Sequence, residues 1–230
     1  MKVVTNESFV RKKARLGRWT SLLGMGVLFA GLIVSFIYPE WVNVSFGCLL
    51  VGFTLANIGS YNLNRWVREP RSDQVLAKVL KGLSNKHHLY NYLSPTPHVL
   101  LSPAGLFVLV AKNQDGEIRY ENGKWRRDFK WGRFLRFFSE EPLGNPTKEL
   151  EEEVKGFHRF LERSLPEAEV PIEGVIVFTH PNAELKIAEP DFPAVVAKKL
   201  KAHLRELSKG RSLPGSQRKE LASVFEAQTR

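Results

Sequence analysis

Two long stretches without a charged side chain dominate the hydropathy pattern. The first runs from Thr20 to Tyr38 and the second from Val42 to Tyr61, separated only by Pro39-Glu40-Trp41. Each is about 20 residues, the length an α-helix needs to cross the hydrocarbon core of a bilayer. The pair therefore predicts a transmembrane helical hairpin (20–38 and 42–61) rather than a cleaved leader, whose apolar core is shorter and has no second stretch behind it. Gly26 with Ala30, and Gly52 with Ala56, have the small-xxx-small spacing that lets helices approach closely. Beyond residue 61 the pattern shortens and alternates in type. Val75, Leu76, Val79, Leu80 and Leu83 mark one face of a helix that Ser72 can cap. Val99–Leu101 and Leu106–Ala111 are apolar runs short enough to be strands, joined by Ser102-Pro103-Ala104-Gly105. Gly116–Arg127 reads as a further hairpin turning at Asn122-Gly123. A helix starts at Asn145-Pro146-Thr147, with Leu150, Val154, Phe157, Phe160 and Leu161 inward. A strand over 170–178 and an amphipathic helix over 192–207 carrying Val195, Val196, Leu200 and Leu204 close the pattern. After Lys209-Gly210 the chain is basic and polar and reads as a loose tail.

Charge orients the hairpin. Lys2, Arg11, Lys12, Lys13, Arg15 and Arg18 precede it, Arg65, Arg68 and Arg71 follow it, and its turn holds only Glu40. The positive-inside rule then places both ends in the cytoplasm. Trp19, Tyr38, Trp41, Tyr61 and Trp66 fall at interfacial depth. The expected organisation is a basic cytoplasmic N-terminus (1–19), the hairpin (20–61), a cytoplasmic domain (62–208) and a basic flexible tail (209–230). Of the 230 residues, 34 are Lys or Arg and 24 are Asp or Glu, a net charge of +10. That balance suits a polyanion or an anionic lipid surface. The one cysteine, Cys48, lies inside the second apolar stretch, so neither a disulfide framework nor a cysteine metal site is available.

The strand pair around residues 98–112 carries a resemblance. Gly105, Phe107, Lys112-Asn113, Gly116, Ile118, Trp125 and Asn145-Pro146, followed by the strand Gly174–Phe178, stand in the order shown by the nuclease-related domain, NERD, a branch of the PD-(D/E)XK nuclease superfamily. The resemblance spans roughly residues 70–180. It implies an α/β fold, a restriction-endonuclease-like core with a mixed central sheet flanked by helices, here preceded by the two-helix transmembrane hairpin. It also implies a metal site. In the family an Asp precedes the His of the first strand, and the second strand ends in Glu-X-Lys. The acids hold a divalent metal and the lysine steadies the attacking water or the developing charge. Here the Asp position is Pro97, before His98, and the Glu position is Val110, so that Glu-X-Lys reads Val110-Ala111-Lys112. A hard cation seeks oxygen ligands, and neither residue supplies one.

Lys112 is thus read as vestigial, with no cofactor. Mg²⁺ enters only if acids have relocated around Lys112, for which Asp73, Asp115, Glu117 and Glu149 are the candidates. Asp73 occupies the start of a helix where the family carries a Glu, but an acid there is also what the helix dipole favours. A Glu at 149 would restore one carboxylate, but the acidic run that it belongs to is more simply a solvated helix start. Lys86-His87-His88 has no Cys, Asp or Glu at ligand spacing and reads as a loop. Residues 126–138, RRDFKWGRFLRFF, interleave Arg126, Arg127, Lys130, Arg133 and Arg136 with aromatics including Trp131. Such a run can track single-stranded nucleic acid, lie on a lipid interface, or simply connect elements while burying its rings. The expected function is a membrane-anchored, catalytically inactive NERD protein that binds nucleic acid or a protein partner at the cytoplasmic face. The alternatives are a structural membrane scaffold, or a metal-dependent nuclease with relocated acids. Expected partners are the lipid bilayer, nucleic acid, and a protein or second copy through the membrane helices.

Overall fold

The computed structural model describes residues 1–93, 95–128, 142–166, 170–187 and 192–228. It divides into two units. One holds Glu7–Arg71, the other Met1–Asn6, Ser72–Asp128 and the chain from Pro142 onward.

The first unit is the predicted hairpin, with longer helices than hydropathy marks. Helix α1 spans Glu7–Ile37 and α2 spans Val42–Trp66, joined by a 3-10 turn at Pro39–Trp41. Hydropathy reports the depth at which charge becomes costly, whereas the helix continues into basic turns that need no apolar surroundings. Both helices are long and apolar enough to cross a membrane, and only 11% of each apolar window is buried within the protein. A core helix would be mostly covered. Here Leu22, Leu23, Met25, Phe29, Leu32 and Phe36 on α1, and Phe46, Leu49, Val51 and Phe53 on α2, are exposed.

The helix contact follows a seven-residue period. Val10, Gly17, Gly24 and Gly31 are the buried positions of α1, and Gly52, Gly59 and Trp66 those of α2. A period of seven keeps one seam facing the partner. Glycine at that seam brings the backbones together. A Cβ on Gly24 would lie 2.5 Å from the Ala56 nitrogen, and one on Gly59 2.5 Å from the Ser21 nitrogen. Of the two pairs expected at this interface, Gly52 and Ala56 take part. Gly26 and Ala30 do not, since both are exposed and a Cβ on Gly26 would meet nothing within 4 Å. Tetrad spacing cannot tell which side of a helix faces its neighbour, whereas the heptad of glycines can. Polar side chains in the spans return their hydrogen bonds to the preceding turn: Thr54 Oγ1 donates to the Leu50 carbonyl at 2.8 Å and Asn57 Nδ2 to that of Phe53 at 2.8 Å.

The second unit is mixed α/β. Its strands are β1 (Lys2–Thr5), β2 (His88–Asn91), β3 (His98–Ser102), β4 (Gly105–Lys112), β5 (Gly116–Glu121), β6 (Lys124–Arg127), β7 (Ile172–Phe178), β8 (Ala183–Ile187) and β9 (Ala194–Val196). Its helices are α3 (Ser72–Leu80), α4 (Pro146–Ser164), α5 (Ala197–Leu207) and α6 (Gly215–Ala227). The main sheet runs β1-β2-β3-β4-β7-β9, and β6-β5-β8 form a smaller one. The β2-β3-β4 strands are antiparallel neighbours, while β1, β7 and β9 each add in parallel.

Alternation along the strands sorts the core into two faces. Leu89, Leu100, Phe107, Leu109, Val175 and Val177 pack with Leu76 and Leu80 of α3 and Leu200 and Leu204 of α5. Tyr90, Val99, Leu101, Leu106 and Val108 face the other way, against Phe157 and Leu161 of α4 and Leu221 and Phe225 of α6. Gly105, at φ 134°, makes the β3–β4 turn, and a Cβ there would meet the Pro171 carbonyl at 2.5 Å.

Three expectations change. Residues 2–5, read only as part of a basic terminus, are an edge strand paired with β2, Val3 against Leu89. Four residues are too few for periodicity to show. Residues 209–230, read as a loose tail, contain α6, whose Leu221 and Phe225 are fully buried. Leu221, Val224 and Phe225, at helical spacing in an otherwise polar stretch, were the signal for it. The helix expected over 192–207 starts at Ala197, because Val195 and Val196 belong to β9, beside Val177 and Phe178.

Candidate site at the end of the fourth strand

Strand β4 turns Val108, Val110 and Lys112 toward α4. Val110 is 1% exposed and packs with Leu150, Ile176 and Phe178. A carboxylate there would be buried among hydrocarbon, so valine suits the strand while offering no ligand oxygen. Lys112 ends the same row. Its side chain is only 5% exposed, and its Nζ is ion-paired with Glu149 Oε2, whose side chain is 37% exposed.

Local structure sets this pair. Asn145 caps α4, its Oδ1 accepting from the Lys148 nitrogen at 3.2 Å, and Pro146 occupies the first turn. That fixes Glu149 one turn in, above the end of β4. Thr179 ties the strand ends together, its nitrogen donating to the Lys112 carbonyl at 2.7 Å and its Oγ1 to Asn113 Oδ1 at 3.3 Å. Trp125 Nε1 donates to Thr147 Oγ1 at 2.8 Å, anchoring the helix start to β6.

The other acids do not converge on Lys112. Asp115 is buried and paired with Arg127, whose Nε also donates to the Asp115 carbonyl at 2.8 Å. Glu117 receives Lys186 at 2.9 Å and Arg119 at 2.5 Å. Those two hydrogen bonds, that from Lys186 first, hold its carboxyl below the ordinary glutamate value. Asp73 is buried on α3, on the opposite side of the sheet, since Leu76 and Leu80 of that helix pack with Leu100. His98 shares that side with Leu100. There Asn91 bridges the edge, its Nδ2 donating to Thr5 Oγ1 at 3.0 Å and its Oδ1 lying 2.8 Å from His98 Nδ1. The Tyr92 ring lies 5.0 Å from that of His98, and its hydroxyl donates to Asp73 Oδ1 at 3.5 Å. Tyr92 adopts φ 61°, a left-handed conformation uncommon for an aromatic residue.

Lys112 was read as vestigial beside Val110 and Pro97, and Glu149 as part of a solvated helix start. The structure instead brings these two together. Among the described residues no three of His, Cys, Asp or Glu gather as metal ligands. Of the basic–aromatic run, Arg126 is exposed and Arg127 is half-buried and committed to Asp115. Lys130, Trp131, Arg133 and Arg136 lie outside the described residues. His87 and His88, expected in a solvated loop, are half-buried, and His88 opens β2.

A mixed sheet between helix layers, with a lysine at the end of its central antiparallel pair, defines a nuclease-like α/β domain, placed behind two membrane-length helices. Residues 67–179 match the family model of the nuclease-related domain, and the chain carries a NERD domain over that range. No curated protein and no solved structure matches the chain.

Proposed function

We propose that this protein is a membrane-anchored nuclease-related domain that binds nucleic acid at the cytoplasmic membrane face without cutting it. The absence of cutting rests on the pairing of Lys112 with Glu149 beside Val110, and the binding on the net charge of +10. Among the described residues the one carboxylate paired with the lysine is that of Glu149, which it neutralises, and the two family positions that would complete a metal site are Val110 and Pro97. A two-acid cation site needs oxygen ligands that these residues lack.

Pairing of β1 with β2 supports the hairpin topology. Lys2–Thr5 precede the two apolar helices and His88–Asn91 follow them, yet they share one sheet. That pairing favours a topology with both ends of the hairpin on one side of the membrane. Arg11, Lys12, Lys13 and Arg15 before the apolar core, and Arg65, Arg68 and Arg71 after it, favour the cytoplasm for that side.

The test is fluorescence anisotropy of labelled single- and double-stranded DNA and RNA against the full chain in nanodiscs, titrated with salt in the presence of Mg²⁺, the same samples being run on a gel. Binding that weakens steeply with salt while the strands stay intact is the expected result. A scaffold role is the second reading, favoured by the internal use of basic groups: Arg127 on Asp115, Arg119 and Lys186 on Glu117. Absence of binding at low salt selects it, and Mg²⁺-dependent cleavage overturns both.

A further inference from the structure

At the end of the sheet remote from Lys112, a cavity of about 370 Å³ opens beside the β3–β4 turn. That volume falls within the range of small-molecule sites, roughly 300–1,000 Å³. Its walls are three backbone segments. The loop after α3 is held by the His87 nitrogen on the Ser84 carbonyl at 3.1 Å, and the end of α5 by the Ser208 nitrogen on the Leu204 carbonyl at 3.0 Å. The third, the β3–β4 turn, is pinned by the Leu213 nitrogen on the Pro103 carbonyl at 2.6 Å. The floor is hydrocarbon, from Leu83, Leu100, Phe107 and Leu204.

The polar groups at the rim are unequal. Ser208 Oγ is spent on the Leu204 carbonyl at 2.6 Å, and Ser102 Oγ on the Gly105 carbonyl at 3.0 Å. His87 Nδ1 lies 3.0 Å from Ser84 Oγ, and burial lowers the imidazole pKa, so the ring adds little charge near neutral pH. Arg211 is shared with Glu173, Nη1 to Oε1 at 2.6 Å. Arg205 lines the cavity and has no ion pair among the described residues. Among the described residues no lining side chain is acidic.

We infer that this cavity binds a small organic carboxylate with a compact apolar body, the carboxylate taken by the Arg205 guanidinium at the rim and the body lying on the Leu100, Phe107 and Leu204 floor. One free guanidinium presents a planar fork that matches a carboxylate. A dianionic phosphate would call for a second free cation, and Arg211 is already half-neutralised. The lining belongs wholly to the sheet unit and is separate from the Lys112–Glu149 end of β4, so the inference does not depend on nucleic-acid binding.

The experiment is isothermal titration of the full chain in nanodiscs with naphthalene-1-carboxylate, empty nanodiscs being subtracted. Saturable one-to-one binding with a Kd of about 0.1–1 mM is expected. Arg205→Glu, at an exposed position, should weaken it about tenfold or more, because a bidentate charged contact becomes a repulsion. Glu173→Gln frees Arg211 and should tighten it about threefold. Naphthalene-1-methanol, the neutral counterpart, should bind about tenfold less well. Absence of saturable heat, equal binding of the alcohol, or indifference to Arg205→Glu would each overturn the inference.

Discussion

The hairpin and the sheet unit hold themselves together by opposite means. In the hairpin the contact is made where side chains are missing: Gly17, Gly24 and Gly31 on one helix, Gly52 and Gly59 on the other. Most of its large apolar residues, such as Leu22, Phe29, Phe36, Phe46 and Phe53, are exposed, with Val10 and Trp66 the buried exceptions. In the sheet unit the contacts are made by the largest side chains, with Tyr90, Phe107, Phe157, Phe178 and Phe225 all fully buried. The proposed membrane setting of the hairpin accounts for the difference. In water, burying apolar area is the main driving force. In lipid that force is absent between helices, and close backbone packing takes its place. The same leucine that stabilises one unit would wedge the other apart.

The largest effect should come from breaking the helix seam. Gly59→Leu places atoms where Ser21 backbone already lies, so the helices must separate along that half. Spin labels at exposed Phe29 and Phe53 should report a longer and broader distance distribution, whereas Gly26→Leu, which meets nothing, should leave it unchanged. The sheet unit should respond to the reverse change. Phe157→Ala removes a fully buried ring from the α4 face and should cost about 3–5 kcal/mol in denaturant unfolding. Phe225→Ala should cost a similar amount and detach α6, whose ring stands 4.7 Å from Tyr90 and 6.0 Å from Phe157.

The ion pair at β4 should respond asymmetrically. Glu149→Gln leaves a nearly buried ammonium without its carboxylate and should cost about 3 kcal/mol. Lys112→Met leaves a carboxylate that is already one-third exposed and can rehydrate, so about 1 kcal/mol is expected. Equal costs would mean that burial of the lysine is not what sets the strength of the pair.

The smallest effect concerns pH at the β1 edge. Burial lowers the pKa of His87 and, together with nearby Lys2, that of His88, while Lys2 lowers that of Glu226 by a hydrogen bond at 2.5 Å. A lowered histidine binds fewer protons folded than unfolded, so stability is lost as pH falls below the ordinary value of about 6.5. A lowered glutamate loses its contribution further down, as pH falls through its own folded value. Both act in one direction. The denaturation midpoint should therefore fall from pH 8 to pH 5, and less so in His88→Gln.

Long patterns were legible in the sequence and short ones were not. The hairpin, the Asn122-Gly123 turn, the Asn145-Pro146 helix start and the order of strands around Lys112 could all be read, because each rests on periodicity or on turn chemistry. Strand β1 and helix α6 escaped, since each is placed by contacts distant in sequence: Lys2–Thr5 on β2, and Phe225 on Tyr90. The glycine heptad was present in the sequence but hidden beneath the more familiar four-residue spacing. At the site, only the identities of Pro97 and Val110 could be read directly. The capture of Lys112 by Glu149 could not, because 37 residues separate them and only the cap at Asn145 fixes the helix over the strand end.

Under the proposed function, the Lys112–Glu149 ion pair stands where a metal site would lie in the nuclease-related fold. Calorimetric titration of the full chain in nanodiscs with Mn²⁺ tests it most directly, beside empty nanodiscs. The account predicts no saturable binding at millimolar Mn²⁺, in the wild type and in Glu149→Gln alike. Stoichiometric binding that Glu149→Gln abolishes would contradict it and return Lys112 and Glu149 to a working metal site.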